Sequence, residues 1–453
     1  MKPYESYKKT NIPWNKSAPA EWKVQRGKSI FSFKKELNNQ YQCDNILSLT
    51  MKGVVNNNID KPIGLVPKDY ATYQIFHKND LVFKLIDLEN YKTSRVGLVH
   101  EQGIMSSAYI RLVNRTDLNH KYFYYQYYDL YLRGIYNNLG AGVRSTLNYT
   151  DLLNVEIFIP PQEEQDQIVR FLDWKISKIN KLIRAKKEQI VLLNEQKQSI
   201  INKAITKGLD DTVPMKDSGV GWIGLIPFNW KIEKIKRYFK IQKRIAGREG
   251  YDVLSVTQNG IKIKDISKNE GQMAMNYSGY QFVYPEDFVM NHMDLLTGYV
   301  DCSSVFGVTS PDYRVFRLVN SQKCMKEYAL FIFQLCYKRK IFYGLGQGAA
   351  AQGRWRLPKD NFYNFTFPVP PLNEQQKIVT EINGSIMEIE KALNAITVEL
   401  EYIMEYKTAI ISSVVTGKVD VHDVVVPDFK IEEVWEDETD AFSDEIEASE
   451  VDE

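Results

Sequence analysis

Apolar side chains recur at three- and four-residue steps over residues 163–206: Ile168, Leu172, Ile176, Ile179, Ile183, Ile190, Leu193, Ile200 and Ala204, with Lys186 and Lys197 interrupting the row. The row returns over 373–416, from Ile378 and Ile382 to Ile410 and Val414, displaced by 210 residues and interrupted by Lys407. This spacing predicts two long helices, each with one narrow apolar seam. At about 1.5 Å per residue each would run roughly 65 Å. A seam that narrow needs a partner, and the other copy is the nearest, so the two are expected to pair antiparallel. Pro-Pro ends the strand before each helix, Glu163, Glu164 and Glu374 suit the positive end of the helix dipole, and Gly208 and Gly417 mark the stops. Lys186, Lys197 and Lys407 could contact DNA phosphates or a partner subunit, but lysines inside a seam more often lay their stems along the coil edge.

The duplication extends well beyond the helices. Trp14 and Trp22 return as Trp222 and Trp230, Ile46-Leu47-Ser48-Leu49-Thr50 as Val253-Leu254-Ser255-Val256-Thr257, and Asp80-Leu81-Val82-Phe83 as Asp287-Phe288-Val289-Met290. Short β-branched and aromatic runs broken by Gly, Asn and Pro predict strands and turns in both copies, with one internal helix each, from about Lys121 and Lys326. The chain therefore divides into an α+β domain over 1–159, a helix over 160–208, a second α+β domain over 209–369, a helix over 370–418 and a tail over 419–453. Two comparable copies of one unit imply two comparable sites.

Charge sharpens this picture. The formal net charge is +1, but residues 427–453 hold 13 of the 57 acidic groups and one of the 58 basic ones. Residues 1–426 carry 57 basic against 44 acidic groups, a net +13, which suits a nucleic-acid partner. The tail is acidic, poor in large apolar groups and expected to be disordered, although Phe429, Val434 and Trp435 offer anchors for docking. Four cysteines without CxxC spacing and five scattered histidines argue against a zinc site and suit a reducing cytoplasm. No apolar run of 18 residues and no leader pattern is found, so a cytoplasmic location is expected.

Candidate chemistry is sparse. Gly27-Lys28-Ser29 resembles the end of a phosphate-binding loop, but Trp22 stands where that loop needs its first glycine. Pro160-Pro161 and Pro370-Pro371 lack the Asn and aromatic neighbours of an amino-methyltransferase motif, and Gly140-Ala141-Gly142 lacks a dinucleotide-binding context. The aromatic run from Tyr122 to Tyr131 has an aliphatic-rich counterpart from Leu330 to Arg339, which favours core packing over base stacking. Neither copy offers an acid–base pair, a nucleophile with a His or a metal cluster.

Two glycine loops, 140–144 and 344–348, run on to Arg144 and to Arg354 and Arg356. Backbone N–H groups beside a guanidinium suit a phosphate or a guanine edge, and equally a tight turn with a solvated arginine. Lys243, Arg244 and Arg248 form a second basic cluster without a strong echo in the first copy, as dissimilar specificities would require, although free solvated charge explains such a cluster more simply. A coiled-coil scaffold without DNA specificity is the main alternative, and it predicts neutral lobes.

The duplicated Pro160, Pro161, Glu164, Gln165 and Pro370, Pro371, Glu374, Gln375 motif, placed between variable domain and helix, resembles the specificity (S) subunit of type I restriction-modification systems. The resemblance spans residues 1 to about 421. The family's helix-end motif falls on Val415-Thr416-Gly417-Lys418 and, with Lys and Gly exchanged, on Ile205-Thr206-Lys207-Gly208. It implies two target recognition domains, each reading half of a bipartite double-stranded DNA site. The helices would set the spacing and, with the Pro-Pro motif, dock two methyltransferase subunits, which restriction subunits join. No cofactor is implied in this chain: S-adenosylmethionine, ATP and Mg2+ would belong to those partners. The acidic extension departs from the minimal pattern.

Overall fold

The computed structural model describes residues 2–50, 53–58, 67–85, 95–139, 147–265, 276–348 and 355–430. Six α-helices lie among them: α1 (His120–Leu132), α2 (Tyr149–Asn154), α3 (Gln162–Lys207), α4 (Lys326–Lys338), α5 (Lys359–Asn364) and α6 (Leu372–Val415). The seam periodicity placed α3 and α6 to within about one residue at each end, because an apolar row and its flanking Pro-Pro and Gly are local signals.

The described residues form two compact units, 2–186 with 397–430, and 187–396. The division falls inside both long helices, so each unit joins one α+β domain to the first part of its own helix and the last part of the other. That is a different cut from the linear one the sequence suggests, and helix pairing is its cause. In the first unit Ile168, Phe171, Leu172 and Ile179 of α3 share a core with Ile410, Ile411 and Val414 of α6. Lys186 pairs with Glu399 at 2.8 Å and Lys407 donates to Asn180 at 2.9 Å, so partner numbers run in opposite directions, as antiparallel packing requires. In the second unit Lys197 pairs with Glu390 at 2.9 Å. The three seam lysines therefore bond across the coil, and burial pulls the Lys407 ammonium below its ordinary pKa.

The two domains repeat one topology. In the first, strands Phe31–Phe33, Ile110–Asn114, Leu81–Lys84 and Arg95–Leu98 form an antiparallel sheet in that spatial order. In the second, Phe239–Gln242, Arg314–Leu318, Phe288–Met290 and Val300–Cys302 do the same. A helix covers each sheet: Phe123 and Tyr127 of α1 meet Phe31 edge-on, and Phe333 of α4 meets Phe239, Phe288 and Phe316. The α1 aromatics are core, as expected. Tyr127 donates to the Leu152 carbonyl, Tyr136 to the Tyr127 carbonyl and Tyr125 to Asp173.

Each domain is locked to the helices by one arrangement. Trp22, fully buried, donates its indole N–H to Glu164 Oε1 at 2.9 Å, and Tyr4 donates to the same oxygen at 2.6 Å. The neighbouring Gln165 donates to the Pro160 carbonyl at 2.9 Å and accepts from the Asn119 N–H at the start of α1. In the second unit Trp230 donates to Glu374 at 2.8 Å, while Gln375 donates to the Pro370 carbonyl and accepts from Met325 N–H. Beneath each indole lies the glycine that ends the opposite helix. Gly417 (φ +71°) abuts Pro19 and Trp22 in the first unit, and Gly208 (φ +76°) abuts Trp230 and Glu374 in the second. Both positions use a left-handed backbone, and at Gly417 a Cβ would also clash with Pro19.

The chain after α6 does not leave the body at once. Val421 and Val426 are buried, Phe429 packs against the first core, and Gln167 donates to the Val421 and Val424 carbonyls. Residues 419–430 are therefore packed rather than frayed, because three valines and Phe429 supply enough apolar surface; Val434 and Trp435 lie outside the described residues.

These contacts predict opposite responses at two glycines, one just past the end of α6 and one within it. Gly417→Ala would put a Cβ 2.4 Å from Pro19 Cδ, and should lower the unfolding free energy by about 1–3 kcal/mol in urea titration. Gly384→Ala, where an added Cβ meets nothing within 4 Å, should raise it by up to about 1 kcal/mol. A Gly417→Ala chain as stable as its parent would remove the glycine from the lock.

Candidate nucleic-acid interface

Each domain is basic by the same margin, 21 basic against 14 acidic groups over 1–159 and 22 against 15 over 209–369. Equal positive excess on both copies disfavours a neutral scaffold and suits two polyanion contacts. Among the described residues no group of three or more His, Cys, Asp or Glu is placed to hold a metal ion, and no helix is long and apolar enough to cross a membrane.

The basic candidates separate by what already engages them. Arg244 donates to the buried Asp287 at 2.7 Å and lies over the Tyr284 ring at 5.0 Å. Arg317 holds the other Asp287 oxygen at 2.7 Å. The first domain has the same device with its polarity redistributed: buried Arg111 bonds Asp80 at 2.6 Å and Glu36 at 3.0 Å. Burial pushes the Asp80 carboxyl up, against the pull of the His77 N–H and Arg111. Each aspartate also caps a turn, accepting from His77 N–H or Tyr284 N–H. Arg244 is thus chiefly a structural cation. Arg248 is exposed, donates to the Tyr251 hydroxyl at 2.8 Å and stacks on that ring at 5.4 Å. Lys243 is exposed.

Arg356 differs from these. Its backbone is bridged to Gln347, donating at 3.0 Å and accepting at 2.8 Å, while its side chain is exposed and bonds to nothing among the described residues. Beside it, the Trp355 indole N–H donates to the Tyr343 carbonyl at 2.7 Å. Arg144 and Arg354 lie outside the described residues.

The motif carbonyls, carboxylates and amides assigned to subunit docking are largely internal. Glu164 is 4% exposed and Gln165 and Gln375 are fully buried, all committed to the lock, whereas Pro161 and Pro371 are at the surface. Of the motif, only Pro161 and Pro371 are open, with the two residues after each, while Pro160, Pro370 and both glutamines are buried.

One feature of the second domain escaped the sequence reading. Tyr251, Phe282, Tyr284 and Phe306 form a ring cluster, Phe282 and Phe306 stacked at 5.7 Å, and Phe306 and Tyr284 remain about 40% exposed beside Arg244 and Arg248. The matching positions of the first domain are Asp44, Ile75, His77 and Gln102. The correspondence is fixed by Gln74 and Gln281, which donate to equivalent pairs of carbonyls, Ser106 and Tyr109, and Ser310 and Tyr313. Comparing the repeats position by position would have revealed it.

The chain has known relatives. The sequence profile of the type I restriction modification DNA specificity domain matches twice, over residues 19–192 and 232–397. A putative type I restriction enzyme MjaX specificity subunit of Methanocaldococcus jannaschii is 25% identical over 451 residues, covering 92% of this chain and 97% of the relative. The type I restriction enzyme MjaVIII specificity subunit of the same organism is 25% identical over 343 residues, covering 70% and 75%. A solved structure, from work on complex assembly and conformational transition of the type I R-M system, superposes with a TM-score of 0.62 at 12% identity, covering 89% of this chain and 99% of that one. At that identity the superposition speaks for the fold.

The candidates give a contrast to measure. Arg244→Ala should destabilise the second unit by about 1–3 kcal/mol, since it strips one partner from a buried carboxylate that Arg317 still holds. Arg356→Ala should leave the unfolding midpoint unchanged and weaken binding to DNA. Equal unfolding midpoints for the two variants would show that the Asp287 pair contributes nothing.

Proposed function

The chain belongs to the type I restriction-modification DNA specificity family, and on that premise we propose that each of its two domains reads one half of a bipartite, asymmetric DNA site. The observation that carries this is the duplication itself: one topology, one lock and one positive excess, with unlike side chains at matching surface positions. Mirrored scaffolds put two readers on one chain, and differences such as Phe306 against Gln102 let them read different bases.

Chemistry would reside in partner subunits. Two methyltransferase subunits dock on the paired helices and bring S-adenosylmethionine; restriction subunits supply ATP-driven work with Mg2+. The paired helices set the spacing between half-sites. The chain itself contributes binding, register and sequence choice.

The purified chain should transfer no methyl group alone and direct sequence-specific adenine methylation once its methyltransferase is added. Methylation by the chain alone would overturn the assignment. Inserting one heptad into both helices at matched positions lengthens each by about 10 Å and should widen the unread spacer by about 3 base pairs. A changed half-site with an unchanged spacer would refute the ruler.

A further inference from the structure

The second domain buries a cation that the first does without. Arg314 opens the central strand Arg314–Leu318 and is 6% exposed, yet no carboxylate among the described residues pairs with it. Strand register aligns it with Ile110: Ile110 stands opposite Phe83 in the first sheet, and Arg314 opposite Met290 in the second. Two residues beyond those partners lie Leu85, buried in the first core, and His292. An apolar pair in one copy has thus become an arginine and a histidine in the other. Burying an unpaired guanidinium is costly, and the first copy shows that the sheet closes without one.

What the two residues do is hold one short segment. Arg314 Nη2 donates to the Leu357 carbonyl at 2.8 Å, its guanidinium lies 4.8 Å over the Phe362 ring, and the Leu357 N–H donates to the His292 carbonyl at 2.9 Å. With the Gln347 bridge and the Trp355–Tyr343 bond, each of residues 355–357 is tied by a hydrogen bond to a neighbouring segment. Burial and two neighbouring arginines push the His292 imidazole down to about 3, and burial brings the Arg314 guanidinium to about 10. At neutral pH the ring is uncharged and the guanidinium charged. The one part of the segment left open is the Arg356 side chain.

We propose that Arg314 is a positioning residue for DNA readout, holding residues 355–357 so that Arg356 meets its half-site in a single attitude. This rests on the reading of the second domain as a half-site reader. A guanidinium suits the task because it bonds a carbonyl and stacks on a ring at once, which neither an aliphatic nor an ammonium group does. Preorganising a reader's backbone sharpens discrimination, since a loose arginine also finds partners on wrong bases.

The test uses the full chain assembled with its methyltransferase, with methylated positions mapped by sequencing. Arg314→Met removes the buried charge and should keep or raise the melting midpoint. It should relax discrimination at the second half-site about tenfold and leave the first unchanged. Arg314→Lys should recover part of that loss. Arg356→Ala should relax the same half-site, and adding Arg314→Met to it should change nothing further. Unchanged discrimination in Arg314→Met, equal losses at both half-sites, or additive losses in the double variant would each overturn the positioning role. If Arg314→Met does not fold, the Arg314→Lys and Arg356→Ala chains decide by the same comparison. A wild-type complex that marks no bipartite site would sink the functional reading first and the positioning role with it.

Discussion

A buried indole N–H aimed at a glutamate carboxylate is the contact on which the rest of this architecture depends. Glu164 and Glu374 sit in the first turn of a long helix, where the helix dipole already favours negative charge, and Trp22 and Trp230 complete their coordination from the domain side. A hydrogen bond to a charged group is worth about 1.5–3 kcal/mol, and this one also sets an angle, because the indole is rigid and fully enclosed. The same ring forms the floor against which the other helix ends, so a Cβ has no room at 417 and is tight at 208, and both positions have a left-handed backbone. One side chain thereby fixes where a domain sits, where its helix begins and where the second helix stops.

Much of this was legible in the residues. The helices declared themselves through local periodicity, and the repeat exposed the two domains without any knowledge of their strands. The partner of Glu164 was not legible, since Trp22 lies 142 residues away and a carboxylate in a first helical turn ordinarily needs nothing beyond the dipole. Arg244 read as a free cation for the same reason: Asp287, which claims it, is 43 residues distant. Local patterns report elements and their ends, whereas the fate of a charge is decided by the tertiary fold. The tail was misjudged at its near end because its acidic composition hid three valine anchors, Val421, Val424 and Val426, which pack with the Phe429 that the sequence did offer.

The duplication is exact in topology and inexact in chemistry, and the inexactness falls in particular places. Lys197 meets Glu390, while its counterpart Lys407 meets Asn180, the position that matches Glu390. Lys186 meets Glu399, but the matching pair, Ile396 and Gln189, carries no charge. These substitutions make each helix fit the other better than a copy of itself, so the seam encodes which helix pairs with which. A coil assembled from two copies of α3 would hold neither ion pair.

Because each unit is closed by the far part of the other helix, the order of synthesis matters. Phe171, Leu172 and Ile179 leave the ribosome well before Ile410, Ile411 and Val414, the residues that cover them. At about 5–20 residues per second, roughly 10 to 50 s separate the two segments. Throughout that interval the first domain stands finished on its sheet but bare along its helix, with an apolar stripe open to any other chain that presents one. The nascent protein is therefore most vulnerable to misassembly at mid-translation, and residues 397–430 act as the closing segment of a domain whose synthesis began at the other end of the chain.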